Sequence, residues 1–466
     1  MAPQRRCDSS ILSATRKVAQ RAHRARMLAI ALTRATTALR TARRDDRPEL
    51  ARAAVGCERG AIAGPGVPPV RTAHSSPRSL ALVGQGALAL ACASLALVTS
   101  PARAADAPTR ADVQRAIRQL VDAGAPGVTA VIRGPRGVER YAAGLANVRR
   151  GTPISPRDHF RIGSVTKSFV ATVVLQLVAE DRLSLTDSVE KWLPGLVPNG
   201  SQITVRELLN HSSGIADYCS LPNYATLCSP RGPDMAQRWT QQQLVQLVAT
   251  APPAFPPAQG WGYSNTDYVL LGMVIERVTG HTLGQELERR IYRPLGLHNT
   301  KLPVTTSMPR PYGHGYDVSA NGSSPLDVTA ISPTIAWGAG AMVSTPGDLV
   351  TFMRALQGGR LTTQSLLRQM REPTPGSLTG SPSSLGPQFG SYGLGLIHYT
   401  WAAACGAWGH TGDFPGYLTV AMASANGRRG AAVNITSDTI TSAGQLGLIL
   451  VERRLACRMR FGRIGS

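Results

Sequence analysis

Hydrophobic residues recur at intervals of three and four in several stretches of the chain, a spacing that places them on one face of an α-helix. Residues 111–123 are the first stretch to show it. The same spacing, or an apolar run behind a capping residue, predicts further helices at 164–181, 203–209, 235–250, 266–278, 283–292, 346–356 and 440–456. Helices therefore dominate the middle of the chain.

Alternating apolar and polar residues at one end of this patterned region, and short strand-like runs at the other, predict β-strands near both ends. Residues 128–133 and 138–143 flank the turn sequence Gly-Pro-Arg-Gly and predict a hairpin. A Pro-, Gly- and Ser-rich segment at 372–391 is expected to be a loop, and the strand-like segments that follow are 392–399, 417–423 and 430–435. This order predicts an α+β fold, in which an antiparallel sheet built from both termini is flanked by helices and carries an inserted, mainly helical lobe.

The first hundred residues differ in composition from the rest. Residues 1–79 are rich in Arg, Ala and Pro without an amphipathic pattern, which predicts a leader that is disordered or not translated. Residues 80–104 join an apolar core to the sequence Ala-Arg-Ala, the pattern of a secretory signal and its cleavage site. We expect a secreted or extracytoplasmic protein whose mature chain begins near Ala105, with translation starting near Val70. The alternatives are an organelle transit peptide ahead of a second signal and an uncleaved membrane anchor.

The net charge of +22 is spread unevenly along the chain. Residues 1–104 hold 17 basic and 5 acidic residues, whereas residues 105–466 hold 33 and 23. More than half of the excess therefore belongs to the leader, and the remaining arginines are dispersed, as on a solvated surface. This pattern argues against nucleic acid as a partner and leaves attraction to an anionic surface, such as a cell wall, as an alternative.

Four of the seven cysteines, Cys219, Cys228, Cys405 and Cys457, follow the leader. An even number in an oxidising compartment favours pairing, and of three connectivities we expect Cys219–Cys228, which closes a short loop, together with Cys405–Cys457. No cluster of Cys and His has the spacing of a metal site, so we expect neither a metal nor a cofactor.

Ser164 and Lys167 stand three residues apart at the start of an apolar run that reaches Leu177. Positions i and i+3 of a helix share a face, so a desolvated, neutral lysine could act here as the base that a nucleophilic serine needs. The chain has 46 arginines and only four lysines, so arginine carries nearly all of its positive charge. A base at position 167 could not be an arginine, because arginine cannot give up its proton. The alternative is a helix N-terminus beside a chance lysine.

Two further stretches are unusually polar. Tyr263-Ser-Asn265 lies in a loop just before a predicted helix, where a turn with a helix cap would explain it equally well. His410-Thr-Gly412 lies between two predicted strands, either as a Gly-rich turn or as a strand edge at which a ligand can approach the backbone closely.

In this order, the three motifs resemble those of the serine β-lactamase and penicillin-binding-protein superfamily. The Tyr-x-Asn motif is similar to that of class C β-lactamases and exported D-alanyl-D-alanine carboxypeptidases. His-Thr-Gly looks most like the carboxypeptidases and some related esterases and D-amino-acid peptidases. The resemblance covers residues 110–458, including the flanking segments 160–164, 208–214 and 405–412.

The resemblance implies a β-lactamase/transpeptidase-like fold over one catalytic unit, residues 105–466. Within it, we expect a sheet domain from residues 105–160 and 335–466 and a helical lobe from residues 161–334.

The resemblance makes Ser164 the nucleophile that forms an acyl-enzyme. Lys167 and Tyr263 would manage its proton, with Tyr263 as an anion stabilised by neighbouring positive charge, and the order in which the two act stays open. Asn265 would orient the lysine and the substrate amide. The backbone N–H groups of Ser164 and Asp413 would form the oxyanion hole.

The remaining implied substrate-binding residues are His410, Thr411, Gly412 and Trp337. His410 and Thr411 would form an edge-strand wall, with the Thr411 hydroxyl reaching a substrate carboxylate. Trp337 would line the pocket, although a buried core tryptophan explains it equally well.

Two departures from the carboxypeptidase pattern bear on the substrate. Where those enzymes have an arginine that helps to bind a terminal carboxylate, Ile397 and His398 follow Tyr-Gly-Leu-Gly-Leu. Asp413 stands where a threonine is more usual, and its acidic side chain could repel an anionic leaving group. Both changes leave amide and ester substrates open.

The leading functional prediction is an exported D-alanyl-D-alanine carboxypeptidase that acts on peptidoglycan stem peptides and is acylated by β-lactams. The alternatives are a class C-like β-lactamase, esterase or D-amino-acid amidase of the same fold, and a non-catalytic penicillin-recognition or wall-binding protein. The expected partner is a stem peptide or another small acyl substrate, with β-lactams as inhibitors or substrates. Membrane contact is expected only transiently, through the signal peptide.

Overall fold

The computed structural model describes residues 109–221, 228–229, 235–318, 325–377, 389–399 and 407–437. These residues belong to one compact unit that spans residues 101–466. No helix among them is both long and apolar enough to cross a membrane. The predicted leader, signal sequence, C-terminal helix at 440–456 and Cys405–Cys457 pair lie outside the described residues.

The helices occur mainly between the first and last strands. They are α1 Arg110–Asp122, α2 Val165–Ala179, α3 Val189–Trp192, α4 Val205–Asn210, α5 Gln241–Gln246, α6 Asn265–Thr279, α7 Leu283–Leu287, α8 Arg293–Leu295, α9 Trp337–Gly340, α10 Pro346–Gln357 and α11 Gln364–Met370. A π-helical turn, Glu288–Tyr292, joins α7 to α8.

The strands form one large sheet and two short pairs. They are β1 Gly127–Gly134, β2 Gly137–Asn147, β3 Thr152–Pro153, β4 Phe160–Arg161, β5 Tyr316–Asp317, β6 Leu326–Asp327, β7 Val343–Ser344, β8 Phe389–Tyr392, β9 Ile397–Tyr399, β10 Ala407–Phe414, β11 Tyr417–Ala423 and β12 Gly430–Ile435. The described part of the large sheet has eight strands in the order β3-β2-β1-β12-β11-β10-β9-β8. β1 pairs antiparallel with β12, so strands from the two ends of the chain meet at its centre and the predicted α+β fold is confirmed.

One predicted helix is shorter than expected. Of residues 235–250, only α5 is helical, beginning after a capping box at Thr240. The backbone before it bonds elsewhere, because Met235 O accepts from Ser332 N at 2.6 Å and Trp239 N donates to Thr334 Oγ1 at 2.9 Å. These tertiary bonds keep the start of the segment out of the helix.

The predicted strand at 392–399 is in fact a hairpin. Strands β8 and β9 pair with each other across a turn at Gly395, whose φ of +72° favours glycine. β8 also begins inside the segment that was expected to be a loop. Residues 391–397 are buried without interruption across the turn, so the apolar pattern alone does not locate it.

Helix α2 lies inside the molecule, between the sheet and the other helices. Twelve of its residues are buried, which fits its continuous apolar run. The Phe169 ring stacks on Phe352 of α10 with centroids 3.5 Å apart. A buried, closely packed helix holds its first turn rigidly, and that turn carries Ser164.

Candidate active site

Ser164 caps the N-terminus of α2, where the chain turns out of the short strand β4. Gly163 has a φ of +51°, and a Cβ there would lie 2.6 Å from the backbone nitrogen of Asp413. Only glycine therefore allows β10 to pass this close to the serine. The buried Arg161 guanidinium donates to three loop carbonyls, of Thr306, Thr329 and Ile331, and so anchors the approach to the site.

Lys167 is fully buried and lies on the same face of α2 as Ser164. Its Nζ lies 3.1 Å from Ser164 Oγ, 2.8 Å from Asn265 Oδ1 and 2.8 Å from Ala339 O. The amide and backbone oxygens can only accept hydrogen bonds, whereas a hydroxyl can also donate. A neutral amine would give its two protons to Asn265 and Ala339, which leaves its lone pair facing the Ser164 hydroxyl.

The surroundings of Lys167 favour this neutral form. Burial lowers the pKa of its ammonium to about 7, against the opposing effect of the Asp217 and Asp267 carboxyl groups. Near pH 7 about half of the molecules would therefore carry a neutral amine. The predicted role of Lys167 as a base is compatible with both the geometry and the protonation state.

This pKa predicts a pH dependence for the reaction of Ser164 with a neutral acylating ester. Because the unprotonated amine is the active form, the second-order rate constant is expected to rise about tenfold per pH unit below neutrality and to level off above about pH 8. Stopped-flow measurement between pH 5 and 9 checks this. A rate that is constant across pH 6 to 8 would contradict it.

Tyr263 is partly buried beside Ser164, whose side chain interacts with the phenol hydroxyl. Burial raises the pKa of the phenol far above its usual value, and the Asp217 and Asp413 carboxyl groups add to the rise. The Lys167 Nζ lies 4.7 Å from the centroid of the Tyr263 ring. The expected tyrosine anion is therefore disfavoured, and a neutral phenol can pass on a proton instead.

Asn265, the first residue of α6, connects Lys167 to a carboxylate that sequence reasoning missed. Its Oδ1 accepts from Lys167, while its Nδ2 donates to both oxygens of Asp217 at 3.2 Å. Asp217 also caps the 3₁₀ turn that begins at Tyr218, by accepting from Cys219 N. The amide is thereby held with its oxygen toward the lysine. No local sequence pattern identifies Asp217 as a site residue, because 48 residues separate it from Asn265.

A disulfide joins Cys219, within this turn, to Cys228, with Cα atoms 5.5 Å apart. It closes the short loop expected from the sequence. The Cys219 N–H donates to the Asp217 carboxylate. The disulfide therefore helps to fix the position of Asp217, which orients the Asn265 amide.

The third motif lies on a strand, not in a turn. β9 pairs with Ala407–Gly409 of β10, so among the described residues the strand pairing between β9 and β10 ends at Gly409. A Cβ at Gly412 would lie 1.9 Å from the Ile162 carbonyl oxygen and 3.0 Å from Ser164 N. The backbones around Ser164 and Asp413 therefore adjoin, as two oxyanion-hole donors require. Asp413 itself is exposed.

Two of the predicted substrate-binding side chains, those of His410 and Trp337, are buried inside the protein. His410 is buried, with Nε2 3.0 Å from the Tyr392 hydroxyl and Nδ1 at the Thr411 carbonyl, and burial lowers its pKa to about 3. It is thus a neutral residue that supports the strand. Trp337 is a core residue, 5% exposed, with its ring against Gly272 of α6. The pocket-lining expectation for Trp337 is not met because its ring turns toward that helix.

No group of three or more His, Cys, Asp or Glu side chains in the described ranges is arranged to hold a metal ion. The site as described consists of a serine, a lysine, a tyrosine and backbone N–H groups. Such a set can perform acyl transfer by nucleophilic attack, proton transfer and oxyanion stabilisation.

Comparison with known proteins is consistent with this chemistry. A family model described as Beta-lactamase matches residues 113–450. The chain is 26% identical over 294 residues to a penicillin-binding protein of Bacillus subtilis (strain 168), covering 60% of this chain and 61% of that protein. It is 37% identical over 191 residues to Esterase EstB of Burkholderia gladioli, covering 39% and 47%. The chain thus spans less than two thirds of the length of these two curated relatives.

Among solved structures, a D-stereospecific amidohydrolase from Streptomyces sp. is similar over its whole length. It is 38% identical, with a TM-score of 0.65, and the match covers 73% of this chain and 98% of that one.

Proposed function

Because the chain belongs to the beta-lactamase family of serine hydrolases, we propose that it is an exported amidase that cleaves D-amino-acid amides through an acyl-enzyme on Ser164. The observation that carries the catalytic part is the contact between Ser164 and a buried lysine whose other two hydrogen bonds go to acceptors. The choice of substrate class rests on the negative charge of Asp413, at the edge of the site.

In the proposed reaction, Ser164 Oγ attacks the substrate carbonyl carbon while its proton passes to the neutral Lys167 amine. The carbonyl oxygen becomes an oxyanion at the backbone N–H groups of Ser164 and Asp413. The carbon–nitrogen bond then breaks, and the leaving nitrogen takes a proton from the Tyr263 hydroxyl, which Lys167 replenishes. Water hydrolyses the ester in the same way, releasing the carboxylic acid and restoring Ser164.

The charge at the edge of the site favours a leaving group without a carboxylate. Asp413, whose backbone N–H is one of the two proposed oxyanion donors, has an exposed acidic side chain, and Ile397 and His398 stand where the carboxypeptidases have an arginine. Burial lowers the pKa of His398, so the His398 side chain carries no positive charge near pH 7. A terminal D-alanine would bring its carboxylate toward Asp413, whereas ammonia released from a primary amide would not.

The similarity to the Streptomyces D-stereospecific amidohydrolase supports the same substrate class. The carboxypeptidase remains the second candidate, favoured by the similarity to a penicillin-binding protein and by Thr411, which lies on β10 beyond the end of its pairing with β9.

A substrate panel tests the proposal. With D-phenylalanine amide, L-phenylalanine amide and acetyl-D-alanyl-D-alanine, kcat/KM is expected to be at least about tenfold higher for the D-amide than for either of the others, in line with the discrimination that specific contacts give. A preference for the dipeptide would instead establish the carboxypeptidase. Hydrolysis of none of the three, together with rapid opening of a cephalosporin, would establish a β-lactamase.

Replacing Asp413 by threonine is expected to improve the dipeptide as a substrate by about tenfold relative to the D-amide, because a like-charge repulsion is removed. Measuring kcat/KM for both substrates at low and high ionic strength checks this, since a charge effect shrinks with added salt. Asp413→Asn is the matched control that removes only the charge. An unchanged substrate ratio in both variants would contradict the proposed role of Asp413.

A further inference from the structure

His211, the residue that ends α4, is buried with its backbone in the left-handed conformation, φ +64°. It touches the segment that carries Tyr263 in three ways. Its carbonyl accepts from Gly262 N at 3.0 Å, its Nδ1 lies 3.3 Å from Ser264 N, and its ring centroid is 4.4 Å from that of Tyr263. One residue therefore holds both neighbours of Tyr263 and the phenol ring itself.

A carboxyl group fixes the orientation of the His211 ring. Asp267 Oδ2 lies 3.0 Å from His211 Nδ1, and Asp267 Oδ1 accepts from Ser213 Oγ at 2.7 Å. All three side chains are buried. The arrangement links the end of α4 to the first turn of α6, the two elements between which Tyr263 lies.

The hydrogen bonds imply a protonation state for this pair. If Ser264 N–H donates to His211 Nδ1, that nitrogen is an acceptor, and the Asp267 carboxyl must supply the proton of their shared bond. Burial agrees, since it raises the pKa of Asp267 well above its usual range and lowers that of His211. An ionised Asp267 would raise the pKa of Lys167, so a protonated Asp267 removes that opposing effect and favours the neutral amine further.

We propose that His211 and Asp267 form a neutral clamp that positions the Tyr263 hydroxyl over Ser164, and that His211 is thus a positioning residue for acyl transfer. The inference depends on the proposed acyl transfer at Ser164 but not on the identity of the amide substrate. It differs from a serine–histidine–aspartate relay, because the His211 ring contacts tyrosine and an uncharged acid and does not bond to the nucleophile.

The contacts are more specific than packing requires. Among the described residues, His211 Nε2 is buried without a hydrogen-bond partner. Packing alone would therefore favour an apolar ring, which fills the same space without burying a polar atom. What only the histidine provides is Nδ1, which meets both Ser264 and Asp267.

The experiment measures hydrolysis of ethyl butyrate, whose alkoxide leaving group must take up a proton as it departs, and which reports Ser164 acylation whatever the natural substrate is. His211→Ala is expected to lower kcat about 100-fold with KM changed less than about threefold, because misplacing a reacting group by about 1 Å costs rate of this order. His211→Asn should recover part of the loss, since asparagine tolerates the left-handed conformation and offers a polar atom near the Nδ1 position. His298→Asn, on an exposed histidine, is the matched control.

Asp267 separates a neutral clamp from a charged pair. Asparagine reproduces the hydrogen bonds of a protonated carboxyl, so Asp267→Asn is expected to keep at least ten times the kcat of Asp267→Ala, in contrast to the large loss when a charged aspartate orients a histidine. A thermal unfolding curve for each variant checks that it is folded, so that the kcat values of folded proteins are compared.

Folded His211 variants with kcat within threefold of the parent would overturn the positioning role. Asp267→Asn as damaging as Asp267→Ala would overturn the neutral pair. Failure of the parent protein to be acylated by the ester at Ser164 would overturn the proposed acyl transfer itself, whereas failure only on D-amides would leave the clamp standing.

Discussion

Ser164→Ala is expected to abolish turnover of every substrate, with kcat falling by about 10⁵-fold or more, as for other nucleophilic serines. Without Oγ no acyl-enzyme forms, and the oxyanion donors and Lys167 act on water alone. The hydroxyl contacts only the site groups, so the variant should fold normally. Steady-state kinetics gives the loss, and mass spectrometry after a short incubation with penicillin or an ester should find an adduct on the peptide 162–170 of the parent only.

Ser201→Ala, which removes an exposed hydroxyl, provides the comparison for handling and folding. Full activity of Ser164→Ala on any substrate that the parent hydrolyses would mean that the nucleophile lies elsewhere. An adduct that forms on Ser164 of the parent but is never hydrolysed would still identify Ser164 as the nucleophile. It would indicate a penicillin-binding role and not a hydrolytic one.

The sequence predicted the fold well where one local rule applies. Alternation located β1 and β2, short strand-like runs located β11 and β12, and three-to-four spacing located α1, α6 and α10. It failed at residues 235–239, where bonds to Ser332 and Thr334, almost a hundred residues later, keep the chain from forming a helix. It also merged β8 and β9, since a two-stranded hairpin with a short turn keeps the apolar pattern of one longer strand.

The site was predictable only as far as its parts lie in short motifs. The contact of Ser164 with Lys167 follows from a spacing of three on a helix, and the structure contains it. Asp217 and His211 lie 48 and 53 residues from the groups they hold, so no local pattern identifies their partners. The protonation state of Tyr263 depends on burial among carboxyl groups, which only the folded chain determines.

Lys167→Arg separates the two ways in which a cationic residue could assist Ser164. If the lysine only supplied positive charge, to stabilise a Tyr263 anion that acts as the base, arginine would retain much of the activity. If the lysine is the base, arginine must fail, because its guanidinium does not lose a proton. We expect kcat/KM to fall by about 10³-fold, within the range that general bases contribute.

Lys191→Arg is the matched control, because this exposed lysine forms a hydrogen-bonded ion pair with Asp187, which arginine can also form. Arginine is also larger than the fully buried lysine that it replaces, so a loss of activity alone could reflect a displaced helix turn. The pH profile removes that ambiguity. In the parent the rise in rate should follow the Lys167 pKa of about 7. In Lys167→Arg the residual rate should lose this rise, whereas a merely displaced site would be slower with the same inflection. Near-normal turnover, or an unchanged inflection near pH 7, would assign the proton to a group other than Lys167.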